Sequence, residues 1–199
     1  MAHIDYFFAT VSPFTYLAGT RMEAIAARHG ATITYKPMDV IALFGRTGGV
    51  APKDRHPARQ AYRLQEMRRQ ATKAGMPMNL QPAHWPTNPA PASYAIIAAQ
   101  KTGGGDLGRL VAAITAKCWA GEKNIAEDDV IAEALGEAGF DPALASGMML
   151  AEAEEYAANL EEAVNAGVFG APFYIVDGTE HFWGQDRLED LDLFLAGKL

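Results

Sequence analysis

From Asp5 onward, Tyr6, Phe7, Phe8 and Val11 form an aromatic-rich run suited to a pleated, half-buried strand. The next apolar positions, Phe14, Leu17, Ala18, Met22 and Ile25, fall close to one helical face. Ser12 can cap that helix, Pro13 suits its first turn and Gly30 its end, so the spacing predicts a helix over 13–29. ATITYKPM then alternates apolar and polar residues and carries β-branched Thr32, Ile33 and Thr34, a second strand. The opening is therefore a βαβ unit, with parallel strands and a right-handed crossover. Past Met38 the pattern changes. DVIALFGRTGGVAP reads as a loop or brief helix, and Lys53 to about Ala74 reads as a helix in which Arg55, Arg59, Arg63, Arg68 and Arg69 alternate with Tyr62, Leu64 and Met67. Prolines at 77, 82, 86, 89 and 91 rule out regular structure through the next stretch, an ordered connection that can bury Met76, Met78, Leu80 and Trp85. From Ser93 to about Gly167 the pattern is helical, punctuated by glycines, with starts at Asp141-Pro142 and at the acidic group 126–129. Strand character returns in PFYIVDGTEHFWG, where Asp177-Gly178 marks a hairpin turn, and Gln185 to about Ala196 closes the chain as an amphipathic helix.

The order is βαβ, a helical block, then ββα, an α/β architecture. Removing the block, 41–165, leaves 1–40 and 166–199 as a discontinuous unit with the strand order of a thioredoxin-like core. Its sheet is expected to be mixed, because the terminal hairpin adds antiparallel strands, and the block is a large all-helical insertion.

Composition narrows the function more than the fold. With 199 residues, 49% hydrophobic and 21% charged, the chain can bury a sizeable core and has ordinary globular composition. A net charge of -7, with no concentrated basic face, argues against nucleic acid as the main partner. No basic segment precedes a long apolar stretch at the N-terminus, and no apolar run reaches membrane-spanning length, so the expected location is cytoplasmic, away from membranes.

Candidate chemistry begins at Ser12, a hydroxyl at a helix start, where unpaired N–H groups and the helix dipole favour an anion. A plain helix cap is the competing reading. Cys118 is the only cysteine, which excludes an intrachain disulfide or a CxxC pair, and its helical context reads as a buried small hydrophobe. His3, His29, His56, His84 and His181 are scattered without ligand spacing, so no metal site is expected. Arg59 and Arg63 are four apart and share a face that could meet an acidic small molecule, although solvation explains most of this helix's charge. The triple glycine at 103–105 is a turn between helices and not a phosphate loop.

Three separated stretches carry a resemblance. DYFFATVSPFTYLA at 5–18, TGGVAPKDRHPARQAYRLQEMRRQATKAGMPMNL at 47–80 and GVFGAPFYIVDGTEHFWGQDRLEDL at 167–191 resemble the 2-hydroxychromene-2-carboxylate isomerases. These are relatives of kappa-class glutathione transferases within the DsbA-like thioredoxin superfamily. The resemblance implies a cis-proline at Ala171-Pro172 facing Ser12, with the Ala171 backbone pairing to a peptide-like ligand. That ligand would be glutathione, its thiolate stabilised by Ser12, which stands where redox relatives have the first cysteine of CxxC.

Gln185 and Asp186 match the segment that binds the γ-glutamyl end, Asp186 pairing with its ammonium group; a simple helix cap is the alternative for Asp186. Arg59 falls near a basic residue that reaches the glycyl carboxylate in relatives. Phe14, Arg63 and Trp183 are the implied substrate-pocket residues, with core packing the alternative for Trp183. Gly49 and Ala9 depart from the family pattern, Gly49 standing where kappa relatives often carry a ligand-contacting Asn. The implied activity is glutathione-dependent ring-opening cis/trans isomerisation of a small aromatic carboxylate to a hydroxybenzylidenepyruvate, a step of aromatic compound catabolism. A conjugating glutathione transferase and a non-catalytic thioredoxin-like binding module are the alternatives, and a homodimer is a possible assembly.

Overall fold

The computed structural model describes residues 1–147 and 149–199. Strand β1 (His3–Phe8) lies at the centre of a four-stranded sheet with β2 (Thr32–Pro37) on one side and β3 (Phe173–Val176), then β4 (Glu180–Trp183), on the other. Strands β1 and β2 are parallel, from His3 opposite Thr32 to Phe8 opposite Pro37. The pairs β1/β3 and β3/β4 are antiparallel, with Tyr6 opposite Tyr174 and Phe173 opposite Trp183. The mixed sheet agrees with the sequence-based expectation. Asp177 and Gly178, both at positive φ, make the hairpin turn.

Alternation along β1 divides the core. Ile4, Tyr6 and Phe8 face the larger cluster, where Tyr6 packs between Phe8 and Tyr174 with ring centroids 4.6 and 5.0 Å away. Phe7 faces the smaller cluster with Phe173, Ile175, Met38 and Leu43. Helices α3 (Val40–Thr47) and α8 (Met149–Asn165) contribute Leu43 and Ala163 to this smaller layer. The larger layer gathers α5 (Ala90–Thr102), α6 (Leu107–Trp119) and α7 (Asp128–Glu137), so side chains from 41–165 share one cluster with those of the sheet. Helix α4 (Pro57–Ala74) buries Met67 and Ala71, and the proline-rich connection packs Met76, Met78, Leu80 and Trp85 against the same cluster. No described helix is long and apolar enough to cross a membrane.

The single helix expected over 13–29 is instead two, α1 (Pro13–Ala18) and α2 (Arg21–His29). The apolar stripe runs across both, which is why periodicity alone joins them. Gly19 breaks the run at φ 57° and ψ -136°, a backbone conformation that costs little only for glycine. The carbonyls of Leu17 and Ala18, left without helical donors, are taken by the Arg21 guanidinium at 2.9 and 3.2 Å.

Helix α2 also carries a carboxyl into the core. The Tyr35 hydroxyl donates to Glu23 Oε1 at 3.0 Å, while Oε2 is buried without a partner among the described residues. Gly108 of α6 makes room for it, since a Cβ there would lie 2.6 Å from Glu23 Cγ. Burial pushes the Glu23 carboxyl above its ordinary value, partly offset by its hydrogen bonds. The folded state therefore holds this proton more tightly than the unfolded chain. The stability it contributes is complete below the ordinary carboxylate range and is lost as pH rises through the raised value. Glu23→Gln is expected to remove this pH dependence and make the protein more stable at neutral pH than wild type. Urea unfolding at a series of pH values from acid to neutral checks it.

Candidate active site

Ser12 caps α1 by accepting the Thr15 N–H at 3.3 Å, and its hydroxyl donates to the Ala171 carbonyl at 3.4 Å. The cap and the segment before β3 are thereby brought together across 159 positions of sequence. The Ala171–Pro172 peptide bond is cis, as the resemblance implies, and Ala171 lies before the first ladder pair at Phe173. Pro13 has no N–H, Thr15 donates to Ser12 Oγ and Tyr16 to Ser12 O at 3.1 Å, which leaves the Phe14 N–H without a partner among the described residues. Because α1 is only six residues long, an anion here would be held by these local donors more than by a long helix dipole.

Ser12 and Ala171 line a cavity of about 650 Å³. Phe14 joins them from α1, Arg59 and Arg63 from α4, and Trp183, Gln185 and Asp186 from the segment after β4. Of the site residues that the resemblance implies, Pro172 is the one that does not line the cavity. It is buried, and its carbonyl accepts the Gly184 N–H at 2.9 Å, tying the segment before β3 to the one that carries Gln185.

Two bland sequence readings are corrected. Trp183 is not a core residue: it is 54% exposed, packs edge-on to Phe169 at 4.9 Å and lies over Gly170, where a Cβ would collide with the indole. Asp186 caps no helix. It sits in the short 3-10 turn Gln185–Arg187, α9 (Leu188–Leu195) has no side-chain cap among the described residues, and the carboxylate lies 3.4 Å from Arg187. The cap reading of Ser12, by contrast, holds alongside the cavity.

Residues that sequence reasoning left out of the site also line it: Val40, Ile41 and Phe44 from α3, with Arg55, Tyr62 and Trp85. Gly49 explains Phe44, because a Cβ on Gly49 would meet that ring at 2.5 Å; the residue type that departs from the family pattern makes room for an aromatic wall. Trp85 is fixed by its indole N–H, which donates to Val11 O at 3.1 Å, and carries the Arg63 guanidinium 5.2 Å above its ring. Arg55 was legible in principle, since it continues the four-residue spacing of Arg59 and Arg63. It lies 5.4 Å from the Phe44 ring and donates to Val50 O at 2.8 Å.

None of Arg55, Arg59 and Arg63 has a carboxylate within ion-pairing distance among the described residues, whereas Arg28, Arg46, Arg69 and Arg187 all do. Burial, then the neighbouring Arg55, pushes Arg63 down to about 10; burial and Arg59 lower Arg55. Arg63 thus stays charged at neutral pH but sits in a partly dry place where an anion is attracted more strongly than in water. Cys118 does not line the cavity; it is buried in α6, and burial, then Glu122, pushes its thiol up to about 12.

Comparison with known proteins agrees with this architecture. A family model described as a DsbA-like thioredoxin domain matches residues 3–196. A 2-hydroxychromene-2-carboxylate isomerase of Sphingobium xenophagum is 27% identical over 195 residues, covering 96% of this chain and 97% of the relative. One from Pseudomonas putida is 28% identical over 193 residues, covering 93% and 90%. A solved 2-hydroxychromene-2-carboxylate isomerase structure superposes with a TM-score of 0.77 at 24% identity, covering 98% of this chain and 95% of that one. The cytosolic disulfide reductase DsbM from Pseudomonas aeruginosa, solved with GSH, gives a TM-score of 0.69 at 18% identity, covering 98% of each chain. At these identities the superpositions speak for the fold alone, and the family model spans nearly the whole length. The chain belongs to the DsbA-like thioredoxin domain family.

Proposed function

We propose that this chain is a cytosolic, glutathione-dependent isomerase acting on an aromatic carboxylate of the 2-hydroxychromene-2-carboxylate type, with a hydroxybenzylidenepyruvate as product. The names of relatives that match along more than nine-tenths of the chain support an isomerase. The observation that carries the reading is the meeting of Ser12 with Ala171 in a cavity whose wall also holds Arg55, Arg59 and Arg63.

The residues present fit a tripeptide thiol. Cys118 does not line the cavity, so on this reading the sulfur nucleophile arrives with the ligand. Ala171 lies outside the sheet ladder and can pair with an extended backbone, and the unpaired guanidiniums match a terminal carboxylate. Glutathione, when bound, supplies a thiolate that adds reversibly to a conjugated carbon, making a double bond rotatable, and is returned unchanged. Ser12 contributes a hydroxyl donor and Phe14 an N–H without a partner among the described residues, both of which favour the thiolate over the thiol. Arg63, pinned on Trp85, orients the substrate carboxylate, while the exposed Arg59 takes the glycyl carboxylate. The apolar wall of Val40, Phe44 and Trp183 excludes water from the aromatic rings.

Incubation with glutathione and an aromatic pyruvate of this type should leave glutathione unconsumed, as read by mass spectrometry. A stable adduct would instead support a conjugating transferase. Arg63→Met is expected to raise KM for the substrate about tenfold or more, with a smaller change in KM for glutathione. Equal changes in both would remove the assignment of Arg63 to the substrate.

A further inference from the structure

Arg21 opens α2 just after the break at Gly19, and its guanidinium donates only to oxygen. Besides the carbonyls at the end of α1, Nη2 reaches Gln185 O at 3.2 Å and Gln185 Oε1 at 3.1 Å. Arginine has no acceptor, so the Gln185 carboxamide must turn its oxygen toward Arg21 and its NH2 group away. Gln185 is 5% exposed and lines the cavity. Its Nε2 has no partner among the described residues and is not sealed from solvent, which leaves its donors available on a residue that lines the cavity.

We propose that Arg21 is a positioning residue that sets the polarity of this corner of the cavity, holding Gln185 as a donor beside the Asp186 carboxylate. Two amide N–H donors next to an anion match the zwitterionic end of an α-amino acid: donors for its carboxylate, Asp186 for its ammonium group. The opposite amide orientation would set a carbonyl against the ligand carboxylate. Arg21 prevents that flip from outside the pocket, and it can do so because the break at Gly19 places a guanidinium where a continuous helix would have no carbonyls left to collect. The inference rests on the glutathione reading, in which the γ-glutamyl end enters this corner.

Calorimetric titration of the full chain with glutathione, and with an analogue lacking the α-carboxylate of the γ-glutamyl residue, tests it. Wild type is expected to prefer glutathione by about tenfold or more, the worth of a hydrogen bond to a charged group. Arg21→Met should bring that ratio toward one by weakening glutathione while leaving the analogue's affinity unchanged, and Arg21→Lys should restore part of it. Gln185→Glu should turn the preference toward the analogue, because its second oxygen would face the ligand carboxylate. An unchanged ratio in folded Arg21→Met overturns the inference. Should that variant fail to fold, an unchanged ratio in Gln185→Glu overturns it instead. Wild-type protein that binds neither compound overturns the glutathione reading itself, and the positioning role falls with it.

Discussion

Ser12→Ala is expected to lower the glutathione-dependent rate by about 100-fold to 1,000-fold, the usual cost of losing one donor aimed at developing or resident negative charge. The hydroxyl donates to Ala171 O at 3.4 Å, a long contact that leaves it free to turn toward a better acceptor. A donor to the charged form lowers the pKa of the group it serves, so its removal raises that pKa. The acid limb of the pH–rate profile should therefore move to higher pH in Ser12→Ala, and part of the lost rate should return in alkaline buffer. The same substitution removes the cap to Thr15, which costs about 0.5–2 kcal/mol of stability. Measuring rate and urea unfolding on one preparation separates the two effects. A rate that falls only as far as the folded fraction falls would sink the role of Ser12.

The largest expected loss of stability comes from Trp119→Ala. Trp119 ends α6, is 0% exposed and packs on Trp85 at 5.6 Å, and its carbonyl accepts the Asn79 N–H at 2.7 Å. Truncating a buried tryptophan costs about 3–5 kcal/mol through lost burial and the cavity left behind. Against a total of about 5–15 kcal/mol, that corresponds to a melting temperature lower by roughly 10 °C for a chain of this size. Trp119→Phe should cost far less. It keeps most of the apolar volume and deletes an indole N–H that is buried without a partner among the described residues. Thermal melts of the three proteins decide this, and equal losses in both variants would show that Trp119 acts through something other than volume. Because Trp85 carries Arg63, Trp119→Ala should also weaken substrate binding in the protein that remains folded.

Both predictions concern places where the chain's local rules and its three-dimensional packing meet. Ser12-Pro13 was legible as a helix start because capping is a matter of a few adjacent residues. Its partner Ala171 was not, except through resemblance to a family, because nothing local marks an alanine as the wall of a site. The break at Gly19 was missed for a related reason: the stripe of Leu17, Ala18, Met22 and Ile25 stays in phase across it, and glycine permits the break without requiring it. Trp183 was readable as core because it ends a strand with buried Phe182. Its position over Gly170, which has no Cβ to push it aside, leaves it facing the cavity instead.

The arginines show the division most clearly. Sequence displays Arg55, Arg59, Arg63 and Arg69 alike, all on or next to one helix. Arg69 has Glu66 at 3.6 Å, while the other three have no carboxylate in reach among the described residues. By itself the sequence determined the strands, the Asp177-Gly178 turn, the helical middle and the helix start at Ser12. Period, turn chemistry and capping depend on neighbours within a few residues. Only the tertiary structure decided which arginines stay unpaired, which way the Gln185 amide points and that Ser12 meets Ala171. Desolvation and hydrogen-bond partnership depend on distances between segments far apart in the chain, and folding alone sets those distances.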